Sequence, residues 1–154
     1  MAFLSSLNIP LSGMTAERFR LDIIAQNINA ADTYATNAED VYKRQMVVFG
    51  EDRTFKSVLA GRMREGTYIP QIYSYTKYRG VEVKRVVEDE TPVEPIYSPD
   101  NPLADENGYV YESNVDLIVE QADAIEATNM FNANKSIYEA MQSIIQASLN
   151  IGKG

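Results

Sequence analysis

Apolar residues recur at intervals of three and four at both ends of the chain, and this pattern constrains the fold more than any other feature. In the first segment Leu7, Leu11, Met14, Leu21, Ala25 and Ile28 fall on one helical face, with a step of seven where Arg18 interrupts the row. In the last segment Ile118, Ala122, Ile125, Met130, Ile137, Met141, Ile144 and Ile151 form a second stripe, and the step from Ile125 to Met130 breaks a strict heptad. Two such faces lose contact with water most readily by lying together. The expected fold is therefore α+β: long N- and C-terminal helices paired as a coiled coil, with a small central β domain. The boundaries expected are 1–36 for the first helix and the asparagine-rich turn after it, 37–112 for the β-rich middle with a surface insertion, and 113–154 for the last helix.

Local signals refine this plan. The first helix starts near Ser6 or Leu11 and ends near Ala31; Pro10 is tolerated in a first turn, and the Asn, Asp, Thr and Ala of residues 27–37 have the chemistry of a loop. Residues 41–49 read as a strand closed by Gly50. Residues 51–66, charged and holding Gly61 and Gly66, read as a surface excursion. Alternation of Tyr, Ile and Thr over 67–77, continued by Val81, Val83, Val86 and Val87, predicts a hairpin turning near 78–80. Pro92, Pro95, Pro99 and Pro102 predict an extended irregular segment, and Gly108 to Tyr111 one further short strand. Ser113 or Asn114 is the expected N-cap of the last helix, Asp116 lies in its first turn, and Gly152 is its stop. At about 36 residues and 1.5 Å each, this helix would be on the order of 54 Å long, too long for one small β domain to cover. Part of its stripe must face another helix or another copy.

Composition excludes several classes of chemistry. The chain has no His and no Cys, so it builds no imidazole or thiolate zinc site, no Ser-His or Cys-His nucleophile pair and no disulfide. Most familiar enzyme designs are thereby excluded. Its 45% hydrophobic and 23% charged residues suit a folded chain, and no apolar run reaches the roughly 18 residues that would span a membrane. The opening residues lack the Lys or Arg of a cleaved secretory signal. Residues 1–85 hold 12 Lys/Arg against 9 Asp/Glu, whereas 86–154 hold 2 against 13. That barely basic first part is a poor match for nucleic acid. The asymmetry serves either solubility or head-to-tail attraction between copies.

Candidate sites within the chain mostly reduce to plain readings. Asp100, Asp105 and Glu106 lack the calcium-loop spacing, because Leu103 falls where the first Asp must stand, and they read as a solvated turn. Asn134-Lys-Ser136 matches a glycosylation acceptor but lies inside a predicted helix. Met130 and Met141 read as packing residues at helical spacing. Tyr68, Tyr73, Tyr75 and Tyr78 serve either as a strand surface or as interface anchors.

Several motifs resemble the bacterial flagellar rod and hook family. Ser12-Gly-Met-Thr-Ala-Glu-Arg18, followed by Ile24-Ala-Gln-Asn-Ile-Asn-Ala-Ala-Asp-Thr33, is similar to the family's Gly-x-x-Ala-x-x-x-Arg helix and the asparagine turn that ends it. Tyr42-Lys-Arg44 resembles the Tyr-Arg-Arg that follows that turn. Residues 80–89, 97–105, 108–110 and 114–116, with the closing Leu149-Asn-Ile-Gly-Lys153, are similar to one rod subunit of the family. Departures are Asn29 where Ala is usual, Val41 in place of Pro, and Phe131-Asn-Ala-Asn134 in place of Tyr-Glu-Ala-Asn. The resemblance covers nearly the whole chain except residues 50–79.

The resemblance implies a structural subunit of the proximal rod in the basal body, crossing the periplasm and polymerising through its terminal helices to transmit torque. It implies a non-enzyme with no cofactor, exported by the flagellar type III apparatus without a cleaved signal. The implied partners are further copies of the chain and rod proteins of the FlgB, FlgF, FlgG and FliE type. The expected assembly interface comprises Leu7, Leu11, Met14, Leu21, Ile24, Asn27, Ile28 and Thr33 from the first segment, and Ile125, Met130, Ile137, Met141, Ile144, Leu149 and Ile151 from the last. Ends loosely ordered in the free chain would fold on joining neighbours. Two other classes fit the bare stripes and charges: a non-polymerising helical adaptor that binds one partner, and a hydrolase working with two carboxylates.

Overall fold

A long helix at each end brackets two small antiparallel sheets in the computed structural model, which describes residues 6–51 and 80–152. The elements are α1 (Asn8–Ala30), β1 (Tyr34–Ala35), β2 (Gln45–Glu51), β3 (Val81–Glu88), β4 (Pro95–Tyr97), β5 (Tyr109–Glu112) and α2 (Leu117–Ile151). The class is α+β. The excursion over 51–66, beyond Glu51, and the first half of the expected hairpin, 67–79, lie outside the described residues.

α1 accepts Pro10 because the first turn of a helix has no use for that residue's missing N–H. Its end falls close to the expected Ala31, and what the structure corrects is the loop reading of residues 27–30. Asn27, Ile28 and Asn29 are helical, and the chain turns only at residues 31–33. Asn27 escapes the usual competition between Asn side chains and the helix because its amide is fully engaged elsewhere. Thr33 closes the helix: its backbone N–H and its hydroxyl both donate to Ala30 O, at 3.2 and 2.7 Å.

The start of α2 is a second correction. Asp116, and neither Ser113 nor Asn114, is the N-cap: its backbone is extended, and its carboxylate accepts from the N–H groups of Ile118 (2.8 Å) and Val119 (3.4 Å). Asn114 is committed to another partner, the backbone N–H of Arg44. Gly152 stands at the C-cap as expected.

One sheet has the order β1-β5-β4 and the other pairs β2 with β3. β2 begins at Gln45, later than expected, and runs through Gly50 to Glu51, with a register shift between Val48 and Phe49. It is β2 that β3 pairs with among the described residues, Gln45 opposite Glu88 and Glu51 opposite Val81. The proline-rich segment contains β4, whose Pro95 opens an edge strand, where the lack of a donor is harmless. Gly80 leads into β3 with φ +109°, and a Cβ there would collide with the Ser12 side chain. The Ser12 hydroxyl accepts the Val81 N–H at 3.0 Å, which ties the start of β3 to α1.

α1 and α2 run antiparallel, since Gly13 faces Asn134, Arg20 faces Asp123 and Glu126, and Asn27 faces Glu120. The buried apolar set is sparse and mostly small: Ala16, Ile23, Ile24, Ala31, Val41, Val110 and Ala127. Beside it are buried Asn27, Ser113 and Glu120. Such a core leaves much of the apolar surface of the long helices uncovered.

Candidate assembly interface

The two sides of α2 differ in chemistry. Glu120, Ala124, Ala127, Phe131, Asn134, Tyr138, Met141 and Ile145 follow one another at alternating steps of four and three, and all are buried or half-buried. This is the spacing of a helix–helix seam. It is made of small, polar and aromatic side chains up to Tyr138, with the aliphatic Met141 and Ile145 only at its far end. A Cβ on Gly13 would approach the Asn134 side chain to 2.9 Å, so glycine permits the close crossing there.

On the other side Ile118, Ile125, Ile137, Ile144 and Ile151 are exposed, from 50% at Ile137 to 83% at Ile151, with the exposed Ala122, Ala133, Ala140 and Ala147 between them. A row of exposed isoleucines of this kind is a candidate interaction surface. The pairing also ends early. With Gly13 opposite Asn134, the start of α1 reaches only to about residue 140, and the remaining turns of α2 extend on the order of 15 Å further. On that extension Met141 and Ile145 are half-buried, whereas Ile144, Leu149 and Ile151 are all more than half exposed.

The opposite end of the helix pair is closed by polar groups. Glu120 is 0% exposed; its carboxylate accepts from Arg44 Nε at 2.6 Å and from Asn27 Nδ2 at 3.0 Å. Asn27 Nδ2 also donates to Gln45 O (2.8 Å), while its Oδ1 accepts from the Gln45 N–H (3.0 Å) and the Tyr42 hydroxyl (2.8 Å). Arg44 reaches Asp123 at 2.7 Å and Asp89 at 4.0 Å, and Asp123 also holds Arg20 at 3.1 Å. Arg20 continues to Glu126 at 3.1 Å and Glu17 at 3.9 Å.

The electrostatics follow from this crowding. Burial pulls Arg44 down, but the hydrogen bond and charge of Glu120, with Asp123 and Asp89, outweigh it and hold the guanidinium above its ordinary value. Burial raises Glu17; Arg20 opposes the shift and Glu126 adds to it, and one Glu17 oxygen has no hydrogen-bond partner. Burial, with Glu120 and Glu88, pushes Tyr42 up, whereas hydrogen bonds from Thr91 pull Asp89 down. A cavity of about 330 Å³ opens beside the cluster, between the helices and β2. Among the described residues no three His, Cys, Asp or Glu stand as a metal site, and no helix is long and apolar enough to cross a membrane.

The residues expected at an interface therefore divide. Ile125, Met130, Ile137, Ile144, Leu149 and Ile151 of α2 are exposed, as are Leu11 and Ile28 of α1 and Thr33 beyond its end. Leu7, Met14, Leu21 and Met141 are half-buried. Ile24 and Asn27 are buried inside the chain, and Thr33 both ends α1 and accepts the Ser113 N–H at 3.2 Å. Sequence reasoning missed Glu120, Asp123, Arg20 and Arg44 as a connected set. One signal was present: Glu120 interrupts the apolar run Leu117-Ile-Val119, where an acid is costly unless paired.

No family model matches the chain. It is similar to curated proteins that carry the name flagellar basal-body rod protein FlgC. The relative from Bacillus subtilis (strain 168) is 31% identical over 160 residues, spanning 99% of this chain and all of the relative. That from Borreliella burgdorferi is 30% identical over 158 residues, the full length of both. That from Salmonella typhimurium (strain LT2) is 29% identical over 153 residues, 99% of this chain and all of the relative.

Proposed function

Because the chain belongs to the family of flagellar basal-body rod proteins named FlgC, we propose that it polymerises in the proximal rod through the open face of α2 and thereby carries torque across the periplasm. It is a structural subunit of the flagellar basal body, and its role is assembly, with no chemistry to perform. The observation that carries the reading is the row of isoleucines from Ile118 to Ile151, exposed on the side of α2 turned away from α1. A chain working alone would gain nothing from such a stripe and would risk aggregation.

In this reading residues 1–36 and 113–154 form the inner layer of the rod as a coiled coil with neighbouring copies, and residues 37–112 form the outer β part. Contacts between non-equivalent surfaces generate an open helical assembly. The same surfaces receive the neighbouring rod proteins of the FlgB, FlgF, FlgG and FliE type, after export through the flagellar type III apparatus without cleavage. The unpaired end of α2 orders on joining a neighbour. Burial of Leu149 and Ile151 there contributes roughly 3 to 6 kcal/mol, reduced by the entropy of fixing that segment.

A chain truncated after Gln146 tests this. It is expected to be expressed and exported, to keep the fold of the free chain, and to leave cells without filaments. Normal swimming by that strain would reject the interface and favour the adaptor, which needs no lattice. Hydrogen exchange on dilute free chain adds a second check: slow exchange near Glu120 and fast exchange beyond residue 141 are expected.

A further inference from the structure

Asn27, Arg44, Asn114 and Glu120 form a continuous polar connection between α1, α2 and the β2–β3 ribbon. Asn27 projects from α1 and engages both backbone groups of Gln45, at 2.8 and 3.0 Å, as a neighbouring strand would. Arg44, the residue before β2, sends its side chain to Glu120 and Asp123 of α2, while its backbone N–H donates to Asn114 Oδ1 at 2.7 Å. Asn114 Nδ2 in turn donates to Thr91 O at 3.1 Å and Asp89 O at 3.4 Å, just beyond the end of β3. The Asp89 N–H returns to Arg44 O at 2.8 Å.

Both strands of the β2–β3 ribbon are thus tied at one end to the buried junction of α1 and α2, while at the other end the exposed Ser12–Val81 bond holds β3 to α1. Apolar contact alone would let this small ribbon slide or rotate, because hydrophobic attraction has no direction. Buried charge-assisted hydrogen bonds do have direction, and leaving any one unmade inside the protein is costly.

We infer that Asn27 and Arg44 are positioning residues, forming with Glu120 a rigid joint that sets the orientation of the β2–β3 ribbon on the helix pair. This rests on the proposed rod role only for its consequence: in a rod the joint is the route by which load passes between the helical layer and the β part.

The chain has no cysteine, so two introduced thiols carry spin labels at unique places. The first pair, Arg85→Cys with Asn129→Cys, reports the distance from the ribbon to α2. The second, Asp22→Cys with Asn129→Cys, reports the distance from α1 to α2; all three positions are exposed. In the purified full chain both distances are expected to be narrow. Adding Asn27→Ala is expected to broaden the ribbon-to-helix distribution about twofold or split it, with the helix-to-helix distribution and the helical circular dichroism unchanged.

Arg44→Lys, which keeps the charge but loses the forked geometry, gives the same readout if Asn27→Ala does not fold. An unchanged ribbon-to-helix distribution in the variants overturns the inference. Equal broadening of both pairs overturns it too, because the network would then hold the whole fold together. In cells, the variants are expected to build rods and lose speed in viscous medium, and normal speed there with broadened distances removes the load-path consequence. A strain lacking the chain that still swims rejects the rod reading instead, and leaves the distance result standing.

Discussion

The two sides of α2 invert the usual arrangement of a soluble helix. The side packed on α1 carries Glu120, Ala127, Asn134 and Tyr138, whereas the side left open carries Ile118, Ile125, Ile137, Ile144 and Ile151. Inside, small side chains allow α1 to come close and hydrogen bonds make the contact specific. Outside, the greasier residues have no partner among the described residues. The difference separates two demands: the inner side specifies one pairing within the chain, and in the proposed rod the outer side offers its apolar surface to another molecule.

The sharpest way to break this comparison is to strike the inner side at its most buried group. Glu120→Ala leaves Arg44 and Asn27 without their shared acceptor, and such loss inside a protein typically costs about 3 to 5 kcal/mol. A large fall in the denaturation midpoint of the free chain is expected; a change no larger than that of a surface substitution would mean the cluster contributes little. Next comes Ala127→Leu at a position with no exposed surface. Overpacking there is expected to destabilise by about 1 to 3 kcal/mol, visible in the same titration.

The outer side should behave in the opposite way. Ile125→Asp combined with Ile137→Asp is expected to change the stability of the free chain by no more than about 0.5 kcal/mol, yet to abolish rod assembly and motility. A double variant that unfolds the free chain, or that swims normally, would erase the distinction between the two sides.

The smallest expected effect sharpens the boundary between them. Glu17 has its carboxyl raised above the ordinary value of 4.5, burial being the main cause. The folded state therefore holds this proton more tightly than the unfolded chain. Between the unfolded and folded values the native state binds more protons, so this group's contribution to stability falls as pH rises through that window and is recovered on acidification. Glu17→Gln is expected to raise neutral-pH stability by about 0.5 kcal/mol or less and to remove that slope. An unchanged pH profile in thermal melts would place Glu17 in solvent.

Asp116, Asn27 and β3 show how much was legible in advance. Both long helices, the strand near Tyr109 and the stop at Gly152 could be read because periodicity and end signals are local properties of the chain. The N-cap was expected at Ser113 or Asn114 and fell instead at Asp116, since all three have capping side chains and Asn114 was already taken by the Arg44 N–H, a residue distant in sequence. Asn27 looked like a loop residue until its amide met Gln45 and Glu120. The hairpin expectation paired β3 with residues 67–77, which lie outside the described residues, and the pairing of β3 with the more distant β2 had no local signal to announce it.

By itself the sequence determined the α+β class, the positions and approximate lengths of the two helices, and the presence of an apolar stripe on each, because a helix's period is written in the spacing of its own residues. The tertiary structure alone decided which side of α2 would meet α1. That choice went to the small and polar side, because close approach at Gly13 and the connected acceptors of Glu120 need partners that only the folded chain brings together, while the isoleucine stripe has no partner of matching shape among the described residues.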